Sequence, residues 1–480
     1  MKKEQLIRRS EYLWEIPREY RSDMRAPARV YALEPLLAPM LADRSLEQLV
    51  NVTTLPGIVG AALVMPDAHE GYGFPIGGVA ATRYPDGAIS PGGIGYDINC
   101  GVRLLVSDLF FTDVESRLPD LAKELYAQIP SGVGEGGAVR LSPAEMDEVL
   151  RKGAVWAVEQ GFGQPEDLMH IESHGRLADA DPACVSETAK KRGLDQLGTI
   201  GAGNHFIEAD RVEEIYHADA ARAFGIAPGQ VVVLIHTGSR GLGHQVATDY
   251  LRLMVNAMEK YGIKPPDREL ACVPFHSDEG QDYFKAMCAA ANFAWCNREV
   301  ITHEVRTAWT NVFGKKGGHL RLLYDVAHNI AKIENHTVDG RKMKLIVHRK
   351  GATRAFGAGF GELPARLRDV GQPVLIPGSM GTASYILLGT NAGMDTSFGS
   401  SCHGAGRSLS RRAAKKQVNA PNLKAELREA GIYVEAGSFA GIAEEAPLAY
   451  KDVDLVVETV HRAGIALKVA KLRPLAVVKG

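Results

Sequence analysis

The strongest helical pattern runs over residues 278 to 314, "DEGQDYFKAMCAAANFAWCNREVITHEVRTAWTNVFG", where alanines and aromatics occupy every face and predict a buried helix or helix pair. Apolar residues at three- and four-residue spacing predict amphipathic helices at 142–161 and 245–261 ("QVATDYLRLMVNAMEKY"), with a shorter one near 451–463. Extended segments follow the long helix: "HLRLLYDVAHN", then "MKLIVHRKG" behind a "VDG" turn, then "QPVLIPGSMGTASYILLGT", and finally "LRPLAVV". Between 29 and 128 short extended runs mix with Gly and Pro turns. Elements cluster by type and do not alternate as βα units, which predicts an α+β fold with mixed or antiparallel sheets. The chain has no repeat at the periods of solenoids or propellers, and no long Pro/Ser linker divides it.

Composition adds the setting. The 480 residues are 45% hydrophobic with a net charge of -2, as expected of a soluble globular protein, and length alone admits roughly three domains. Apolar runs such as "VVVLI" at 231–235 fall far short of the ~20 residues that span a bilayer. The opening "MKKEQLIRRSEYLWEIP" lacks the apolar region of a signal peptide, so no membrane partner is expected. Cysteines at 100, 184, 272, 288, 296 and 402 form no CxxC pair, which predicts reduced thiols and a cytoplasmic location. Near-neutral net charge does not exclude nucleic acid, because binding depends on local clusters. Such clusters exist at Arg407, Arg411, Arg412, Lys415 and Lys416, and in "KKR" (190–192), "KK" (315, 316) and "HRKGATR" (348–354). Any one of them alone reads as a solvated helix face.

Five stretches embed reactive side chains in glycine: "MPDAHEGYG", "SPGGIGYDINCGVR", "GAGNHFIE", "LIHTGSRGLGH" and "GSSCHGAGR". Glycine lets backbone N–H groups approach a ligand, so these point to a floor built for phosphate or metal, where one alone would read as a tight turn. His205 follows Gly-Asn, His236 ends the run "VVVLI", and His328 ends "LLYDVA", each placed as a strand-end ligand would be. Asp97 and Cys100 add a carboxylate and a thiolate from one turn. On softness alone this set favours zinc, and a bridging thiolate could hold two ions.

The motifs "MPDAHEGYGFPIGG", "GGIGYDINCGVR", "QLGTIGAGNHFIE", "IHTGSRGLGH", "YDVAHN", "HRKGATRAF", "PGSMGTASYIL", "SCHGAGR" and the closing "VVKG", in that order, resemble the RtcB family of RNA ligases. The resemblance runs from about residue 29 to the last, and is poorest over 163–185. It implies one large catalytic domain, 29–480, with its sheets around a central metal and nucleotide cleft, and residues 1–28 as an extension packed on the body.

What the resemblance implies chemically is joining of an RNA 3'-phosphate, or a 2',3'-cyclic phosphate opened first, to a 5'-hydroxyl, with GTP and two manganese ions as cofactors. Cys100 would bridge the two ions, Asp97 and His205 completing one site and His236 and His328 the other. Manganese replaces zinc on this ground, not on softness. His403 resembles the nucleophile that takes GMP, and Asp67 the carboxylate orienting its ring, as an imidazole held on one nitrogen presents the other. Asn204 would touch the nucleotide phosphates. Glu208, Ser384, Tyr450 and Lys479 would read guanine, with Phe206 nearby, and Ser379, Ala405 and Gly406 would line the rest. Arg192, Arg240, Lys350 and Arg411, one from each basic or Gly-rich stretch, are the candidates for RNA phosphates, making affinity fall with salt. The partner is then RNA, and the resemblance also admits an archease-type activating protein.

Two other classes compete. A binuclear metal-dependent phosphoesterase would suit Asp, Cys and His ligands in Gly-rich loops, but has no use for His403. A noncatalytic RNA-binding protein would use the basic clusters and leave the five metal-ligand candidates unexplained.

Overall fold

Two large sheets carry the molecule, and at one of the crossings between them a single residue intervenes. In the computed structural model, which describes residues 1–132 and 134–480, strand Leu320–Ala327 belongs to one sheet and strand Asn329–Val338 to the other. His328 is the corner.

The first sheet has seven strands in the order Ile7–Arg8, Leu13–Ile16, Ala28–Tyr31, Ile58–His69, Ile76–Arg83, Arg341–Lys350 and Asn329–Val338. Only the Ala28–Tyr31 and Ile58–His69 pair is parallel. Trp14 and Ile16 of the N-terminal edge are buried. The expected "VDG" turn joins the last two strands, with Asp339 and Gly340 both at positive φ, as a tight hairpin needs.

The second sheet runs Leu320–Ala327, Gly101–Phe110, Gln230–Thr237, Phe206–Ile215, Ala466–Lys479, Ser384–Gly389 and Pro373–Ile376, with Tyr433–Ala436 pairing parallel to Ala466–Lys479. Both its faces are covered, which is why "VVVLI" is continuous and not alternating: Val231, Val233 and Ile235 enter one apolar cluster, Val232 and Leu234 another. The period of two therefore puts His236 on the face of Val232 and Leu234. Residues Val102 and Phe206 stand opposite it in register on the flanking strands.

Helix Asp278–Phe313 covers the other face as one element of 36 residues, capped by the Ser277 hydroxyl accepting from the Gly280 N–H at 3.1 Å. Every residue from Ala286 to Thr302 is buried, as its all-round apolar sequence predicts. The two charges in that stretch are therefore paired: Arg298 and Arg103 both donate to Asp325, and Arg103 also meets Glu299 at 2.5 Å.

Other helices depart from the sequence pattern at glycines and caps. The expected helix at 142–161 is two, Pro143–Lys152 and Ala154–Glu159, broken where Gly153 takes φ +60°. The one at 245–261 starts earlier, as Arg240–Ala257, and tightens to a 3-10 turn at Met258–Tyr261. Near the end the helix is Val453–Arg462, followed by the 14-residue strand Ala466–Lys479. The whole is an α+β domain. No helix among the described residues is long and apolar enough to cross a membrane.

Candidate metal centre and nucleotide site

Register brings the metal-ligand candidates to one end of the second sheet. Gly101 pairs with both Thr237 and Ala327, so Cys100, His236 and His328 stand at the same end of three adjacent strands. His205, just before strand Phe206–Ile215, and Asp97, in the turn that precedes Cys100, complete the set. The Cys100 N–H donates to the Asp97 carbonyl at 3.0 Å, so one turn delivers both side chains.

Two triads result, Asp97–Cys100–His205 and Cys100–His236–His328, each with its ligand atoms within 4.8 Å of one another. Cys100 Sγ lies 3.3 Å from Nε2 of both His205 and His236. The Nε2 atoms of His236 and His328 are 3.2 Å apart, and His205 Nε2 is 2.9 Å from Asp97 Oδ2. His205 is fixed from behind by Nδ1 on the Ile200 carbonyl at 3.0 Å, and Asp97 by the Ser239 N–H at 3.0 Å. Gly238 is required here because any Cβ would collide with the Asp97 carboxylate.

Electrostatics fits a cation at this point. Burial, reinforced by Asp97, pushes the Cys100 thiol far up, while burial pushes His236 and His328 far down and keeps them neutral. Neutral imidazoles are ready ligands, and a cation would reverse the cost of the thiolate.

One helical turn braces this arrangement. Asn297 accepts from the Gly198 N–H at 2.8 Å and donates to the carbonyls of Thr199 (3.1 Å) and Gly238 (3.2 Å). Next to it, Arg298 donates to the carbonyls of Asn99 (2.8 Å) and Thr237 (2.9 Å).

His403 adjoins the second triad, its ring 4.9 Å from that of His328. Asp67 is fully buried beneath it, with Oδ2 2.6 Å from Nδ1 of His403. Gly406, at φ +72°, passes so close to the Asp67 backbone that a side chain would not fit. Lys451, which the sequence reading did not single out, donates its ammonium to the carbonyls of Pro66 and Ala68 and so pins the strand on both sides of Asp67.

A cavity of about 710 Å³, the size of a small-molecule site, opens onto all of this. Asn204, Phe206, Glu208, Ser379, Ala405, Gly406, Tyr450 and Lys479 line it, together with Asp97, Cys100, His236, His328 and His403. His205 and Asp67 stand behind the lining. Ser384 is buried too, its hydroxyl donating to Glu208 Oε1 at 3.3 Å. Lys479 lies over the Phe206 ring at 5.3 Å, and Phe206 is edge-on to His236 at 5.4 Å.

The basic candidates separate. Lys350 and Arg411 line the cavity, whereas Arg192 and Arg240 do not. Arg192 is exposed and bonds Gln245, and Arg240 donates to Thr199 Oγ1 at 3.1 Å. Lys350 is buried with its ammonium on the carbonyls of Tyr72 (2.6 Å) and Phe74 (3.1 Å), and burial pushes it down to about 7. Sequence reasoning also passed over Glu445, a buried carboxylate on which Arg407 (3.1 Å), Arg411 (3.3 Å), Tyr450 and Lys479 (4.0 Å) converge. No motif surrounds it in "AEEAPLAY", so no signal marked it. Tyr72, Tyr96 and His244 also line the cavity, and each sits inside a Gly-rich stretch already noted.

Comparison with known proteins agrees with this geometry. A family model described as tRNA-splicing ligase RtcB matches residues 48–480. The tRNA-splicing ligase RtcB of Thermococcus kodakarensis is 57% identical over 469 residues, 97% of each chain. That of Archaeoglobus fulgidus is 55% identical over 473 residues, 98% of each chain. The Pyrococcus furiosus protein of the same name is 56% identical over 387 residues, 80% of this chain but 40% of its own. Fold, site and relatives together define an enzyme of the ligase class. The chain belongs to the RtcB family.

Proposed function

We propose that the protein joins RNA ends, as the tRNA-splicing ligases it resembles do by name, linking a 3'-phosphate to a 5'-hydroxyl at the expense of GTP. The observation that carries this reading is the His403–Asp67 pair, held against the metal-ligand cluster in a nucleotide-sized cavity.

Asp67 holds the proton on Nδ1 of His403, which leaves the lone pair of Nε2 free. Nε2 attacks the α-phosphorus of GTP; the P–N bond forms as the bond to pyrophosphate breaks. An oxygen of the RNA 3'-phosphate then displaces His403 from that phosphorus, leaving a guanylate-capped 3' end. Finally the 5'-hydroxyl attacks the capped phosphate, loses its proton, and expels GMP. A 2',3'-cyclic phosphate must first be opened by water. Asp97, Cys100, His205, His236 and His328 would hold two divalent ions, which when bound supply positive charge to phosphate oxygens. These donors suit several metals, and manganese is proposed from the family resemblance.

Glu208, which lines the cavity and accepts from Ser384, would accept from the guanine N1 and N2 hydrogens, a donor pair adenine lacks. Lys479 and Arg411 supply cations at the same end of the cavity. Contacts from Arg192 and Arg240 to RNA would lie outside the cavity, along the strand leaving it. All six cysteines are free thiols, which agrees with a reducing compartment such as the cytoplasm. An archease-type activator is proposed from the family resemblance alone.

The test is incubation with α-labelled GTP and manganese, zinc or no added metal, then denaturation and measurement of acid-labile, alkali-stable label on the protein. Wild type takes up label and His403→Ala does not. Equal labelling of the two would sink the nucleophile assignment. A phosphoesterase would leave the protein unlabelled.

A further inference from the structure

The metal-ligand cluster has two sides, and the nucleotide residues occupy only one. Phe206 packs on His236, His403 on His328, and Lys479 on Phe206, all beside the Cys100–His236–His328 triad. On the Asp97 side of the same cavity stand three other rings. Tyr96, adjacent to Asp97 in the chain, meets Tyr72 edge-on at 5.4 Å and stacks on His244 at 5.7 Å with an interplanar angle of 21°.

These rings come from three separate segments: the turn after strand Ile58–His69, the turn before Cys100, and the first turns of helix Arg240–Ala257. Tyr72 is 37% exposed and His244 is exposed, whereas Tyr96 is half-buried, packed partly against the apolar core and partly lining the cavity between the other two rings. Lys350 runs under the row, with its stem against Gly95 and its ammonium on the Tyr72 carbonyl. At the other end Arg192 lies against Gly241, three residues before His244. The acidic groups near Tyr72 are engaged: Asp43 accepts from the N–H groups of Ser45 and Glu70, Glu70 pairs with Arg44 at 3.8 Å, and Glu269 accepts from the Gly73 N–H at 3.0 Å.

We infer that Tyr72, Tyr96 and His244 form a stacking platform for one unpaired nucleobase at an RNA end, distinct from the guanine position and on the opposite side of the metal-ligand cluster. The inference rests on the function proposed above. Exposed aromatic rings flanked by cations are what single-stranded bases stack on, without sequence preference, because every base has a π-face. The base would belong to the terminal nucleotide of either the 3'-phosphate strand or the 5'-hydroxyl strand, since both must reach the cluster.

Equilibrium binding to the full chain tests it, using fluorescent single-stranded RNA carrying a 3'-phosphate or a 5'-hydroxyl, each with its terminal nucleotide intact or abasic. The wild type loses affinity by about fivefold or more for one of the two abasic strands, which identifies the end that is stacked. Tyr72→Ala and Tyr96→Ala weaken the intact strand by a similar factor and no longer distinguish it from the abasic one, while Tyr96→Phe, which keeps the ring, behaves as wild type. If the alanine variants fail to fold, the abasic comparison on wild type decides alone. Equal affinity of wild type for intact and abasic ends, with GMP uptake and ligation intact, overturns the platform and leaves the proposed function standing. Absence of RNA binding overturns both.

Discussion

His403 is tied to Asp67 twice through a single oxygen: its backbone N–H donates to Asp67 Oδ2 at 3.0 Å, and its ring Nδ1 lies 2.6 Å from the same atom. Burial pushes the Asp67 carboxyl up, yet the charge and hydrogen bonds of His403 outweigh it and hold the group below the usual carboxylate range. An ionised Asp67 fixes the ring tautomer. Asp67→Asn should therefore slow uptake of label from α-labelled GTP by roughly 10³-fold or more, the scale seen when an orienting carboxylate is neutralised beside a reactive imidazole. A rate within tenfold of wild type would show that the tautomer is set elsewhere.

Cys100 is common to both triads, so its removal cannot empty one alone. Metal content measured after dialysis should show about two ions per chain for wild type and none for Cys100→Ala, with Asp97→Asn and His328→Ala each retaining one. Two ions kept by Cys100→Ala would refute the bridging position.

Glu445 gathers Arg407, Arg411, Tyr450 and Lys479 at the nucleotide end of the cavity. Replacing it by Gln leaves three cations without their shared counter-charge and frees the Lys479 side chain. The KM for GTP in the labelling reaction should rise about tenfold or more, as expected for loss of a buried charge-assisted contact. Metal content should stay at the wild-type level, which separates this effect from unfolding.

Asp325 is fully buried between Arg103 and Arg298, which hold its carboxyl below the ordinary range against the opposing effect of burial. Asp325→Ala strands two buried guanidinium groups and should cost about 3–5 kcal/mol in urea unfolding. A loss under about 1 kcal/mol would mean that water or other groups take over the pairing.

Acid should act through Glu362. Burial raises its carboxyl, but Arg354, which donates at 2.5 and 3.1 Å, and the Ser173 N–H at 2.8 Å outweigh this and bring it to about 2. Its folded value lies below the unfolded value of about 4.3, so its contribution is complete above that pH and is lost as pH falls towards 2. The stability gap between wild type and Glu362→Gln should be constant above about pH 5 and shrink by about 3 kcal/mol on going down to about pH 2. A gap that stays flat with pH would place the carboxylate outside the Arg354 pair.

Periodicity made the α+β class, the long buried helix and the strand-end positions of His236 and His328 legible, because both faces of the second sheet and all faces of helix Asp278–Phe313 are covered. Glycine-rich motifs marked Asp97, Cys100, His205 and His403 one stretch at a time. Their grouping into one two-ion site came from the residue types taken together and from the family resemblance, whereas the geometry behind it was not readable, since it depends on Gly101 pairing with two strands more than a hundred residues away. Glu445 and Lys451 escaped for a different reason: each acts from a stretch without motif or periodicity, and only burial reveals its partners. Arg298 and Glu299, which the sequence analysis did not single out, stand as charges in an apolar helix, where burial demands pairing but does not say with which strand.

The single turn of helix that carries Asn297 and Arg298 has a mechanical meaning. Residues 198–199, next to the Ile200 carbonyl that holds His205, and residues 237–238 and 99, next to His236 and Cys100, are all fastened to two consecutive side chains by bonds of 2.8 to 3.2 Å. Three loops set independently would add their positional errors. Fastened to one datum, they shift together when the sheet flexes, so the spacing between ligand atoms is conserved while the position of the whole cluster drifts.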